Sequence, residues 1–419
     1  MKTYLLGWAW VLGIPALAQS SVTLEECYAA ARAHYPQLRQ EAILQQTNEL
    51  AIANLNASRR LPQLTVNGQA TWQSEVTKLP IELPNLSVPV LNKDQYKLTL
   101  DASYTLYDGQ LTQLQTAAQQ AGTATAIRQV EVELNRLKDQ VNSLFLNALL
   151  TDENIRLTRI LLDDLRNRAE KTRASVRFGT SAQINLDGLL AEALRTEQRL
   201  ADLNASRQGL RASLQLLTGL PVIDSTRLVV VEPTRLTGLS LNRPELALYQ
   251  AQRSQYDAQA GLINNRTKPR ISLFAQPGVG RPGLNLLSND FKPFFIGGLR
   301  LNWNLSAAYN LERDRQLVAL NRQQVDVQQA TFEQNIALQL RQQQTEIDRL
   351  EAQLSRDAEI VALRTKVRQA AAVQLDNGVL AARDYTIELN NENQALLNQK
   401  LHQLQRLLAI IQYRTISGN

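Results

Sequence analysis

Few residues in this 419-residue chain have the type and spacing to do chemistry, and the most suggestive are two carboxylates. Asp384 and Glu388 are four residues apart, which sets both on one face of a helix. They follow Gly378 by six and ten positions, and Arg383 stands beside the first of them. Neither is accompanied by the groups that catalysis needs. The two histidines, His34 and His402, have no cysteine, histidine or carboxylate cluster at metal-ligand spacing, and they read as surface or interface residues. No glycine-rich loop is arranged to hold a phosphate, so no nucleotide drives the chain directly. The expectation is a protein that is not an enzyme and carries neither cofactor nor metal.

Those carboxylates sit in the second of two copies of one pattern. Gly179 lies 75 residues after Tyr104, and Gly378 lies 75 residues after Trp303. Around these anchors the same order recurs. A proline-led helix comes first (His34-Tyr35-Pro36-Gln37-Leu38 and Asn242-Arg243-Pro244-Glu245-Leu246), and a second proline opens a strand (Leu61-Pro62 and Lys268-Pro269). A proline-containing loop, another strand, a very long helix and a reversal at glycine follow. A repeat so well spaced fixes the architecture before any single side chain does. By this count Asn185, six residues after Gly179, is the first-repeat counterpart of Asp384.

Helix length follows from what is missing. No proline stands between Pro89 and Pro221 or after Pro293, and between Gly298 and Gly418 the sole glycine is Gly378. An interior proline costs a helix about 3 kcal/mol, so its absence over such lengths permits very long helices. Val130, Leu134, Leu137, Val141, Leu144, Ala148, Ile155, Leu162, Leu165 and Ala169 fall on alternating three- and four-residue steps, the spacing of a coiled-coil seam. Leu186, Leu190, Ala193, Leu200, Leu203, Leu210, Leu214 and Leu217 continue it on the return. A helix from Asp108 to Phe178 would run roughly 105 Å at 1.5 Å per residue.

Strict alternation marks four strands in two hairpins. Leu98, Leu100, Ala102, Tyr104 and Leu106 face one way, and Lys97, Thr99, Asp101, Ser103 and Thr105 the other. Leu299, Leu301, Trp303 and Leu305 likewise oppose Arg300, Asn302 and Asn304. This is the dyad pattern of a barrel wall, although a soluble sandwich alternates in the same way. Two hairpins cannot close a barrel, and open sheet edges in lipid are costly. Membrane insertion would therefore require several copies.

The N-terminus reads as an export signal over residues 1–18: Lys2, an apolar run from Tyr4 to Leu17, and Ala16-Leu17-Ala18 before the cut. The run is too short to span a bilayer as a helix. Cys27 is the single cysteine, which excludes an intramolecular disulfide, and it reads as a buried residue on the first helix. Only 5% of residues are aromatic, and the net charge of +6 is spread along helix faces, with no nucleic-acid motif. The organisation is a first repeat over 19–218 (helix, β-hairpin 62–107, helical hairpin 108–218), a linker over 219–241, and a second repeat over 242–419 (helix, β-hairpin 269–305, helical hairpin 306–416).

Together these features resemble the TolC-like outer-membrane efflux proteins over essentially the whole mature length. Tyr104-Thr105-Leu106-Tyr107-Asp108-Gly109 is similar to the aromatic-x-leucine-aromatic-Asp-Gly segment that leads into that family's long helix; Trp303-Asn304-Leu305-Ser306-Ala307-Ala308 keeps the Trp and Leu without Asp-Gly. The resemblance implies a mainly helical fold with membrane strands. Four strands per chain would join a twelve-stranded trimeric barrel, and long antiparallel coiled coils would form a periplasmic tunnel. It implies a homotrimer in the outer membrane, in contact with lipid, acting as the passive exit duct of a tripartite efflux or secretion system with a periplasmic adaptor and an inner-membrane pump. By the same resemblance, Asp384 faces the pore axis at its narrowest point, where three carboxylates would repel one another and attract cations; Glu388, Arg383 and the neutral Asn185 join it as gate residues. The family's basic latch residue, two positions after the second glycine, is replaced by Leu380. Phe178, Gly179 and Thr180 with Asn377, Gly378 and Val379 would be the adaptor-docking tips, and Leu98, Leu100, Tyr104, Leu299, Leu301 and Trp303 the lipid-facing barrel residues. A periplasmic adaptor is a rival reading, but it would need a lipoyl-like β domain flanking one helical hairpin. A soluble coiled-coil structural protein is a second rival.

Overall fold

A computed structural model describes residues 21–77, 90–230 and 240–419. The proposed export signal, Pro80, Pro84, Pro89 and much of the linker lie outside these residues. The described elements are β1 (Ser21–Thr23), α1 (Leu24–His34), α2 (Leu38–Arg60), β2 (Gln63–Trp72), β3 (Asp94–Tyr107), α3 (Leu111–Arg177), α4 (Gln183–Thr218), β4 (Arg227–Val229), α5 (Pro244–Asn265), β5 (Arg270–Arg281), β6 (Lys292–Asn302), α6 (Ala308–Asp376) and α7 (Ala382–Ser417). The described residues fall into two compact units, one drawn from within 1–38, 133–243 and 335–419 and the other from within 39–132 and 244–334.

In the second unit, β2, β3, β5 and β6 form one antiparallel sheet in that order. The strands of the two repeats are thus neighbours, with β3 paired to β5. Register places Leu64 and Val66 of β2 beside Ala102 and Leu100 of β3, and Leu98 and Tyr104 beside Val279 and Leu273 of β5. Leu273 in turn lies beside Leu299 of β6. Because side chains alternate across a strand, all of these share one face. On the other face stand Asn67, Thr99, Asp101, Gln276 and Arg300, with Asp101 accepting hydrogen bonds from Asn67 and Gln276. β2 and β6 form the two borders of this sheet.

The helix starts in this unit have identifiable causes. Asp108 accepts hydrogen bonds from the Gln110 and Thr112 backbone amides, each at 2.9 Å, and Gly109 and Gln110 both have positive φ. The aspartate therefore satisfies amides that the first turn of α3 would leave bare. At the matching junction Asn304 accepts from the Ala307 amide at 3.2 Å, so an asparagine stands in for the missing Asp-Gly.

The first unit is built on the coiled-coil seam. Val141, Phe145, Ala148 and Leu214 pack with Cys27, Ala31, Leu228 and Ile411, and a second cluster joins Leu162, Leu165 and Ala169 to Leu186, Leu189, Tyr385 and Leu389. Arg211, almost fully buried, holds the chain after α4 by donating to the Thr226 carbonyl at 3.0 Å and to Asp152 at 2.7 Å. Cys27 is completely buried, and burial foremost, with Glu26 nearby, pushes its thiol up to about 11.

Several expectations are corrected. Six strands are described rather than four: within the linker Arg227–Val229 forms β4, which pairs in parallel with β1. The first proline-led helix is two helices, because α1 ends at His34 and Pro36 occupies the turn before α2, whereas Pro244 itself begins α5. A proline fits the first helical position but not an interior one, which explains the difference. The long helix begins at Leu111 rather than at Asp108. β5 continues to Arg281 and β6 begins at Lys292, so that Phe294 and Phe295 lie on opposite faces of β6.

Candidate functional site at the helix reversals

Both reversals have the same backbone construction. At the first, Gly179 has a φ of +72°, its amide donates to the Val176 carbonyl, and the Thr180 amide reaches back to the Ser175 carbonyl at 2.9 Å. At the second, Gly378 has a φ of +73°, with the amides of Gly378 and Val379 donating to the Leu375 and Gln374 carbonyls. This paired arrangement ends a helix by satisfying its last carbonyls, and it requires a left-handed residue that glycine adopts without strain. A Cβ at either glycine would meet nothing within 4 Å, so backbone angle, not space, selects the residue.

The returning helices begin three residues beyond each glycine's neighbour, at Gln183 and Ala382, after alanines that offer no side-chain cap. Phe178, Ile184 and Val379 project there with 80%, 77% and 77% of their surface exposed. Thr180 folds its hydroxyl back onto the Ser175 carbonyl at 3.0 Å, and Asn377 closes the turn through its amide on the Val373 carbonyl. Between the two reversals lies a polar cavity of about 510 Å³, lined by Arg168, Lys171 and Asn185 on one side and by Asp376, Asn377 and Leu380 on the other. Asn185 is half-buried and donates to the Ser181 hydroxyl.

The carboxylates singled out by the sequence are not equivalent. Asp384 is exposed in the first turn of α7, where the helix N-terminus favours negative charge. Arg383 beside it is exposed as well. Glu388, by contrast, is paired with Arg364 of α6 at 3.3 Å, and one turn further Glu392 is paired with Arg368 at 2.8 Å. Two helical turns of α7 thus have their acids neutralised from α6, and Asp384 lies beyond that ladder.

Sequence reading missed a cluster that joins the two helical hairpins. Tyr385, fully buried, donates its hydroxyl to Asp164 of α3 at 2.6 Å. Burial, reinforced by that aspartate, raises the phenol to about 12. Arg168 lies over the Tyr385 ring at 4.7 Å and bonds Asp376 at 2.9 Å. His402, half-buried on α7, has Nδ1 2.7 Å from Asp357 of α6, a carboxylate 45 positions away in the chain. Tyr385 stands where the first repeat has the seam residue Leu186, which was the available signal; its polar partner lies 221 residues distant and leaves no local trace.

The sheet residues are brought together. Leu98, Leu100, Tyr104, Leu299 and Leu301 share its apolar face, and all five are exposed in the single chain. Trp303 stands one residue past β6, tethered by its indole N–H to the Thr267 carbonyl at 2.9 Å. No helix of the described residues is long and apolar enough to cross a membrane, and no group of histidine, cysteine, aspartate and glutamate among them could hold a metal ion.

No family model matches the chain, and no curated protein matches it. Solved structures do. The CusC transmembrane channel is similar with a TM-score of 0.70 at 17% identity, over 97% of this chain and 94% of that one. The outer membrane protein VceC from Vibrio cholerae gives 0.70 at 15% identity, over 94% and 96%. The CmeC outer membrane channel of Campylobacter jejuni gives 0.67 at 14% identity, over 94% and 85%. At these identities the likeness is one of fold.

Proposed function

We propose that this chain, which has the fold of the TolC-like outer-membrane channels, is itself an outer-membrane channel: a homotrimer acting as the passive exit duct of a tripartite efflux or secretion system. One observation carries the reading. The four-stranded sheet has a continuous apolar face that is exposed in the single chain, and two border strands, β2 and β6, each with one neighbour. Lipid would satisfy the face, and only closure with further copies would satisfy the borders. The strands, of 10 to 14 residues, have the length that a tilted strand needs to cross a bilayer. Three copies would supply twelve strands.

Under this reading Leu98, Leu100, Tyr104, Leu299 and Leu301 face lipid, and Trp303 sits at the rim where strand gives way to helix. Phe178, Gly179, Thr180, Asn377, Gly378 and Val379, joined by Ile184, form the docking tips. Exposed apolar side chains on a polar rim are what a protein partner would cover, and a periplasmic adaptor coupled to an inner-membrane pump is that partner. Asp384 charges the entrance, with Arg383 and Asn185 near it; Glu388, already paired, contributes less. The export signal over 1–18 and the two tandem repeats complete the scheme.

Imaging detergent-solubilised particles tests it. An elongated threefold cylinder that forms conducting pores in planar bilayers is the expected result. A monomer that remains soluble without any lipid mimic would return the chain to the structural coiled-coil reading.

A further inference from the structure

The polar face of the sheet carries an unequal charge. Its strand residues include Lys97, Arg270, Lys292 and Arg300 but a single acid, Asp101. Register gathers the cations at two levels. Lys97 is opposite Gly280, and Gly280 is opposite Lys292, so both lysines lie in one cross-strand row near the β5–β6 loop. Arg300 is opposite Ser272 and Arg270 opposite Asn302, which sets the two arginines in adjacent rows at the other end.

Two of the four cations are held over aromatic rings. Lys97 stands over the Phe294 ring at 5.4 Å and Arg300 over Phe274 at 4.7 Å, contacts that fix a charge without cancelling it. Asp290, paired with Lys292 at 3.9 Å, is itself highly exposed. Asp101, between the two levels, has its oxygens engaged by Asn67 and Gln276.

Resting on the channel reading above, we propose that this face lines the exit with an anion-favouring field, and that the solutes it passes best carry carboxylate or phosphate groups. Threefold closure would repeat each level three times around a narrow water-filled lumen. Such confinement concentrates field lines and raises the local concentration of the opposite charge. The charge of this face is opposite in sign to that of Asp384.

Reversal potentials in planar bilayers under a potassium chloride gradient test this with the mature chain. Two double variants, Lys97→Gln with Lys292→Gln and Arg270→Gln with Arg300→Gln, are each expected to move the chloride-to-potassium permeability ratio severalfold toward potassium. The shift should be larger at 0.1 M than at 1 M salt, where the screening length falls from ~10 Å to ~3 Å. Lys97→Arg with Lys292→Arg should keep the parent ratio, which separates charge from packing. Ratios unmoved in both glutamine variants while the pores still conduct would overturn the anion-favouring lining and leave the channel reading intact. A parent protein that forms no pores would overturn the channel reading, and this inference with it.

Discussion

The Tyr385 hydroxyl donates a 2.6 Å hydrogen bond to Asp164, joining α7 to α3 across 221 residues. The internal repeat does not reproduce it. Seven residues after the first glycine stands Leu186 where the second repeat has Tyr385, and the second-repeat counterpart of Asp164 is Leu363. The bond therefore belongs to one side of the repeat alone, and it is set in an apolar cluster of Leu165, Leu189 and Leu389.

Tyr385→Phe keeps the ring and removes that donor. Asp164 is only half-buried, so water compensates in part and the cost is about 1–2 kcal/mol. Denaturant unfolding of the variant beside the parent measures it. A pore that also conducts more at rest would mean that the bond restrains the tips.

Alkaline pH should loosen the same bond. The phenol is raised in the folded chain from 10.0 to about 12, chiefly by burial and then by Asp164. A raised folded value means that the contribution is fully present below pH 10 and is lost as pH climbs toward 12. Tyr385→Phe should flatten the fall in thermal stability over that interval.

Four glycines with positive φ end helices (Gly179, Gly219, Gly378 and Gly418), but they will not respond alike to alanine. At Gly378 the added Cβ meets nothing within 4 Å, so only the left-handed backbone resists it, at about 1–2 kcal/mol. At Gly418, also left-handed, the Cβ would come within 2.1 Å of the Asn242 carbonyl oxygen. Gly418→Ala should accordingly destabilise more than Gly378→Ala, and melting temperatures of the two decide it.

Neutralising the two tip carboxylates should separate them. Asp384→Asn removes an exposed charge and should alter single-channel conductance or cation block, whereas Glu388→Gln removes a charge that Arg364 already offsets and should alter them less. Equal effects would mean that the Arg364 pair opens in the assembled protein.

Leu100→Arg places a charge on the apolar face and should weaken membrane assembly by roughly 2–4 kcal/mol at mid-bilayer depth. Ser103→Arg, on the opposite face, should be tolerated. Comparing the yield of assembled protein from membranes distinguishes the two, and a reversed order would turn the sheet inside out.

Much of the fold was legible because its signals are local. The 75-residue repeat, the proline-free stretches and the three-four spacing of Val130 through Ala169 required only the order of residues along one helix. Strand parity placed Leu98, Leu100 and Tyr104 on a common face for the same reason. Where the reading slipped, a residue's role depended on its exact backbone position. Pro36 could sit inside or between helices, and Trp303 could end a strand or follow it.

Sequence alone determined which faces are apolar, how long the helices run and where glycine turns them, since each follows from side-chain period and backbone freedom. Tertiary structure decided the partners. It placed β3 beside β5, gave Glu388 to Arg364 and Tyr385 to Asp164, and gathered four cations on one side of the sheet. Periodicity states that a side chain must be covered or paired, but the partner is chosen by packing between segments that can be more than two hundred residues apart, which no local pattern records.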